Sequence, residues 1–237
     1  MKHHTAILTH ATPDGDQMIA DLARVSNTTG QKQRSDAHLI GYLIRNKHWS
    51  PFQMATMCVD VHTTRPIGRQ ILRHLSAVGY QEFSGRYAAY GELHRELECR
   101  FQDPKNRQAS RMPTTAEEIA TAAEWDAFIR EKAERDEADY QRWLARGVAK
   151  EQVRGLLPEG LVPTRLYLHF SVRTWIHYIQ DRTANGVQRE HRWIAWQCRN
   201  IFAETFPAVA AAVGFAGVAV GFAGVADESW LDLDGEE

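Results

Sequence analysis

Cysteine is scarce in this chain: Cys58, Cys99 and Cys198 are the three among 237 residues, far apart and without a Cys-x-x-Cys pair. That spacing argues against a disulfide framework or a thiolate zinc site, so no metal is expected and a reducing cytoplasm is the natural compartment. Net charge is scarce as well. With 28 Lys and Arg against 30 Asp and Glu the formal charge is −2, whereas a nucleic-acid binder is normally basic overall. The first residues lack an apolar segment, so no secretory signal is expected. No Gly-rich dinucleotide fingerprint follows a strand-like run, which excludes a cofactor held on a Rossmann turn. The one long uncharged run, Phe206 to Ala226, contains Pro207, four glycines and the heptapeptide VGFAGVA twice in tandem. It is long enough for a membrane span, but Ala and Gly insert poorly and no Lys or Arg follows. Residues 207–237 are therefore read as a low-complexity tail with an acidic end, and no membrane partner is expected.

What is present suits one globular domain, residues 1–206, with 43% hydrophobic and 24% charged residues over the whole chain. Charge is laid out unevenly. Residues 65–111 carry nine Lys and Arg against five acids, and 150–199 carry eight against four. Residues 116–140 reverse this, with nine acids against three bases. Two basic segments in an acidic remainder suit a small anionic ligand better than a long polyanion.

Periodicity places the elements. Residues 1–35 are polar with helix-like patches, and 36–47 read as an amphipathic helix around Leu39, Leu43 and Ile44. Residues 54–62 alternate, with Met57, Val59 and Val61 on one face and Thr56, Cys58, Asp60 and His62 on the other, which is a strand with one buried side. Thr63 and Thr64 offer caps and Pro66 fits a first turn, so a helix begins there, with Gln70, Arg73 and His74 on one face. Residues 115–147 read as a long solvated helix around Ile119, Trp125, Phe128 and Leu144. Residues 164–182 read as a helix on which His169, Arg173, His177 and Asp181 fall four apart, a functional row, and 188–203 as a further helix.

The densest chemistry lies at Arg73-His74-Leu75-Ser76-Ala77-Val78-Gly79-Tyr80-Gln81-Glu82-Phe83-Ser84-Gly85-Arg86-Tyr87. Arg forks match phosphate oxygens, glycine lets the backbone come close, and a carboxylate can take a ribose hydroxyl. This stretch resembles the signature of the flavin-dependent thymidylate synthases, Arg-His-Arg followed after seven residues by Ser, within Glu-x-Ser-x-Arg-Tyr. Two flanking blocks resemble the same family: Trp49-Ser50-Pro51-Phe52-Gln53-Met54 with Arg69 to Leu72, and Val153 to Pro158 with Pro163 to Tyr167 and Arg173 to Tyr178. The likeness covers about residues 15–206. Leu75 stands where the family has its second Arg, and eight residues separate it from Ser84.

The resemblance implies an α+β fold, an antiparallel sheet flanked by helices, in a single-domain subunit of a homotetramer whose sites are shared between chains. It implies the making of dTMP from dUMP, with FAD as cofactor and methylenetetrahydrofolate and NADPH as co-substrates. Carried over by position, Arg182 polarises the pyrimidine. Gln70, Arg73, Ser84, Gly85, Arg86, Arg154 and Arg182 contact dUMP. Thr56, Arg73, His74, Leu75, Glu82, Ser171, Arg173 and His177 contact FAD. Ser171 and His177 stand where many relatives have Asn. The other route to thymidylate needs a thiolate in an electropositive pocket, and none of the three cysteines neighbours a motif. Two other readings stay open at this point: a paralogue that binds nucleotide or flavin without turnover, and an enzyme for another pyrimidine nucleotide.

Overall fold

The computed structural model of the chain describes residues 1–26, 35–74 and 76–215. Leu75 and all but the start of the VGFAGVA repeats lie outside them. Four strands form one antiparallel sheet: β1 (Thr5–Ala11), β2 (Thr56–Thr64), β3 (Gly79–Glu82) and a long strand at Pro163–Ser171, in the order β1, β2, Pro163–Ser171, β3. A two-stranded hairpin, β4 (Phe101–Gln102) and β5 (Ser110–Arg111), stands apart; the long strand is β6. The α+β expectation holds for the described residues.

Alternation sets the sheet. Met57, Val59 and Val61 of β2 and Leu166, Leu168 and Phe170 of β6 are fully buried on one face. Asp60, His62, Arg165 and His169 project from the other, where Arg165 forks onto Asp60 at 2.6 to 3.1 Å. On the apolar face lie α1 (Gly15–Ala23), α2 (Asp36–Arg45), α6 (Val172–Arg182) and α7 (Arg189–Thr205), which bring Ile19, Ile40, Trp175, Ile176, Ile179 and Phe202 into the same core. Trp175 is wholly buried and its indole N–H donates to the Met57 carbonyl at 2.9 Å. A residue of this kind contributes on the order of 1.5–3 kcal/mol by burial.

Residues 163–171 correct the sequence expectation of a continuous helix over 164–182. Arg165, Tyr167 and His169 alternate with buried Leu166, Leu168 and Phe170, the period of a strand. The chain enters the helix at Ser171 with no loop. The row expected at four-residue spacing therefore breaks, because His169 is on β6 while Arg173, His177 and Asp181 are on α6. Strand β2 likewise runs without a loop into α3 (Arg65–Ile71). Thr64 makes no side-chain cap there, and the Thr63 hydroxyl instead bonds His4 Nδ1 at 2.8 Å.

The long helix α4 (Ala116–Ala145) opens with a capping box between Thr115 and Glu118. It buries Ile129, Ala133 and Tyr140 against Tyr90, Leu93 and Leu161 in a second cluster, joined by the short α5 (Lys150–Val153) through Val153. Of the four side chains expected along it, Leu144 packs against this cluster, whereas Ile119, Trp125 and Phe128 are exposed at 57, 36 and 52%. Past residue 206, α8 (Pro207–Ala212) and Phe215 pack into the main core through Val209, Ala210 and Phe215. Among the described residues no helix is long and apolar enough to cross a membrane.

Candidate active site

The candidate residues collect into three groups, and α3 runs between two of them. At its C-terminal end are Gln70, Arg73 and His74. The His74 ring meets Tyr178 of α6 edge-on at 5.0 Å, and its carbonyl accepts from the Tyr80 hydroxyl at 2.5 Å. Arg182, at the last turn of α6, donates Nε–H to His74 Nε2 at 2.9 Å. Burial, then the Arg182 charge, lowers the His74 pKa, with Asp181 opposing more weakly. A neutral imidazole is the acceptor this bond requires, so Arg182 keeps its charge uncancelled by any carboxylate among the described residues.

Three members of this group were not foreseen. Tyr178 and His191 are wholly buried, and Gln188 lies exposed at the start of α7. Gln70 donates from Nε2 to Gln188 Oε1 at 2.5 Å, and Gln70 Oε1 lies 3.2 Å from His191 Nδ1. Burial first, then the charges of Arg182 and His74, pushes His191 down to about 3. Glu190-His191-Arg192 is a polar triplet in a helix of Trp and Ile, and nothing in its sequence says that it points inward.

The second group sits where β6 becomes α6. Thr56 pairs with Ser171 across the sheet, and Ser171 caps α6 by accepting from the Thr174 N–H at 3.3 Å. The Thr174 hydroxyl donates to the Ser76 carbonyl at 3.0 Å, tying the residue after Leu75 to this helix start. Arg173 is half-buried, and exposed His177 stacks obliquely on Trp49 at 5.4 Å.

The third group follows β3. Glu82 accepts from the Thr164 hydroxyl at 2.8 Å and lies 3.7 Å from Arg65, the first residue of α3. Gly85 is buried flat against Tyr90: a Cβ there would come within 2.5 Å of the ring. Tyr90 in turn accepts from Arg65 at 3.0 Å. Exposed Arg86 pairs with Glu151 at 3.3 Å, and Arg154 stands in the turn after α5. Ser84 carries the turn that leads into Tyr87 and Ala88.

Arg73, Arg154 and Arg173 have no carboxylate partner among the described residues. Uncompensated guanidiniums beside hydroxyls and neutral imidazoles are a donor set that fits phosphate and pyrophosphate oxygens and the carbonyl edge of a flavin. A cavity of about 890 Å³ adjoins the first group through Gln188. Cys99, Arg100, Ser110, Met112 and Arg189 help line it, and none of the residues expected from sequence does.

The family model described as thymidylate synthase complementing protein matches residues 7–208. A probable flavin-dependent thymidylate synthase of Paramecium bursaria Chlorella virus 1 is 42% identical over 200 residues, 84% of this chain and 90% of the relative. The flavin-dependent thymidylate synthase of Synechocystis sp. is 42% identical over 202 residues, 85% of this chain and 90% of the relative. In fold, the chain is similar to a UMP/dUMP methylase, PolB from Streptomyces cacaoi, solved with 5-Br UMP. The TM-score is 0.73 at 24% identity, covering 90% of this chain and 94% of that one. The chain therefore belongs to the flavin-dependent thymidylate synthase family.

Proposed function

We propose that the chain is a methyltransferase that makes dTMP from dUMP, with methylenetetrahydrofolate as carbon donor, FAD as cofactor and NADPH as reductant. One observation carries the reading: Arg182 is a partly buried guanidinium seated on a neutral imidazole where a carboxylate would have cancelled its charge. C5 of uracil is a weak nucleophile, and a preorganised cation beside the ring stabilises the negatively charged, electron-rich form from which C5 attacks carbon. No enzyme thiolate is required. Burial pushes the Cys58 and Cys198 thiols up and holds them protonated, which makes both poor nucleophiles.

Gln70, Arg73, Ser84, Gly85, Arg86 and Arg154 hold the nucleotide with Arg182, the guanidiniums on the phosphate and Gly85 by close backbone approach. Thr56, Arg73, His74, Glu82, Ser171, Arg173 and His177 hold the flavin; Leu75, assigned to it by position, lies outside the described residues. When bound, the flavin supplies the electrons that reduce the transferred carbon to a methyl group. The three groups lie on different elements, which suits a site completed between subunits of a homotetramer, and free thiols suit the cytoplasm.

The visible absorption spectrum of the purified protein, with FAD and then dUMP added, tests the reading. A bound flavin band that shifts on adding dUMP supports it. A colourless protein that takes up no FAD at high micromolar concentration overturns it in favour of a paralogue without turnover. UMP belongs in the same titration, because the similar fold is that of a UMP/dUMP methylase.

A further inference from the structure

A glutamine amide donates from one end and accepts at the other, and a half-turn exchanges them. If Gln70 contacts the nucleotide, as proposed above, its orientation decides what it can recognise. The fold fixes that orientation from both sides. Arg100 donates to Glu190 at 2.5 Å in an ion pair only 11% and 8% exposed, so Glu190 is a charged, acceptor-only group. Gln188 lies two residues before Glu190, at the start of α7. Gln188 Oε1 accepts from Gln70 Nε2 at 2.5 Å.

On the far side, Gln70 Oε1 faces His191 Nδ1 at 3.2 Å. An amide oxygen can only accept, so the single N–H of a neutral His191 is on Nδ1. Its Nε2 then holds a lone pair and has no hydrogen-bond partner among the described residues. Gln188, Gln70 and His191 all point the same way, and one N–H of Gln70 is left over.

We propose that this row, held by Gln188 on one side and His191 on the other, locks Gln70 as a hydrogen-bond donor to the base and so selects uracil over cytosine. Uracil presents a carbonyl at ring position 4, which accepts from Gln70. Cytosine presents an amino group there, which sets donor against donor and leaves both unpaired. His191 acts through Gln70 and is a positioning residue.

The test is the ratio of dCMP to dUMP dissociation constants for the full chain with FAD added. The wild-type ratio should be at least about 100, as for a site that loses a built hydrogen bond. Gln188→Lys, at an exposed position, places a donor against Gln70 and should reduce the ratio about tenfold or more, chiefly through weaker dUMP binding. His191→Leu should do the same, and His191→Asn, which keeps an N–H, should restore most of the ratio. Should His191→Leu fail to fold, Gln188→Lys decides. A Gln188→Lys protein that weakens both nucleotides alike overturns the proposal, since that is what a purely structural role would do. A wild type that binds dUMP and dCMP equally also overturns it while leaving the functional reading intact. A wild type that binds neither nucleotide overturns both.

Discussion

Lowering the pH from 7 to 5 should destabilise this protein steeply, and two buried histidines set the size of the effect. Burial pushes His4 down to about 4 and His191 down to about 3. In an unfolded chain histidine titrates near 6.5. Below that pH the unfolded state takes up protons that the folded state refuses, so stability is full above about 6.5 and falls as pH falls. At about 1.36 kcal/mol per pH unit over the interval from 6.5 to 5, each histidine costs roughly 2 kcal/mol, or about 4 together. His94, also held down to about 4 by burial, adds in the same direction. Typical domains have only about 5–15 kcal/mol in all. The assay is urea unfolding followed by tryptophan fluorescence at pH 7 and pH 5, without flavin and at one protein concentration. His191→Leu should shrink the pH 7 to pH 5 difference by about 2 kcal/mol. A wild type with the same stability at both pH values would refute the reasoning, as would a His191→Leu protein with an unchanged pH slope.

Arg182→Ala should lower kcat by roughly 100-fold or more, as for other preorganised charge stabilisers, whereas Arg86→Ala should chiefly raise KM; steady-state kinetics on the two variants separates the roles, and a near-normal kcat without Arg182 contradicts its assignment. Gly85→Ala drives a Cβ to within 2.5 Å of the Tyr90 ring, so it should cost about 1–3 kcal/mol by overpacking and loosen the Arg65–Tyr90 bond, read as a drop of several degrees in Tm with weaker dUMP binding. Replacing Cys58, Cys99 and Cys198 together by Ala should leave dTMP formation per folded, FAD-loaded molecule largely intact. Loss of turnover traced to one cysteine would point to a thiolate mechanism.

How far the sequence carried these conclusions differs by element. Helix α2 was legible because one face is buried and the other wet, and strand β2 because apolar and polar residues alternate along it, although Cys58 and Asp60 on its polar face are buried too. Strand β6 was not. Residues four apart share a face on a strand as well as on a helix, and with no loop at Ser171 the helical spacing of Arg173, His177 and Asp181 extended backward onto His169. Strand β1 has exposed apolar residues, Ile7 at 57% and Leu8 at 43%, and a register irregularity between Leu8 and His10, so its alternation is blurred. In α4 the buried face is narrow, marked by Ala133 and Tyr140, and the larger side chains at 119, 125 and 128 point outward. The motif residues of the site were legible by likeness, and the structure supplied the Arg182–His74 contact that joins them across 108 positions. Gln188 and His191 were invisible because their meaning comes from what they touch: burial and a partner 118 or 121 positions away.

The central claim is that FAD-dependent methyl transfer to dUMP runs on the charge of Arg182 and not on a cysteine. The most direct measurement is anaerobic turnover of the purified protein with dUMP, methylenetetrahydrofolate and NADPH, with and without FAD, followed by chromatographic detection of dTMP and by mass spectrometry of the intact protein. The account predicts dTMP only when FAD is present, no covalent protein–nucleotide adduct, and loss of product in Arg182→Ala. Formation of dTMP without FAD, or an adduct on a cysteine, would contradict it.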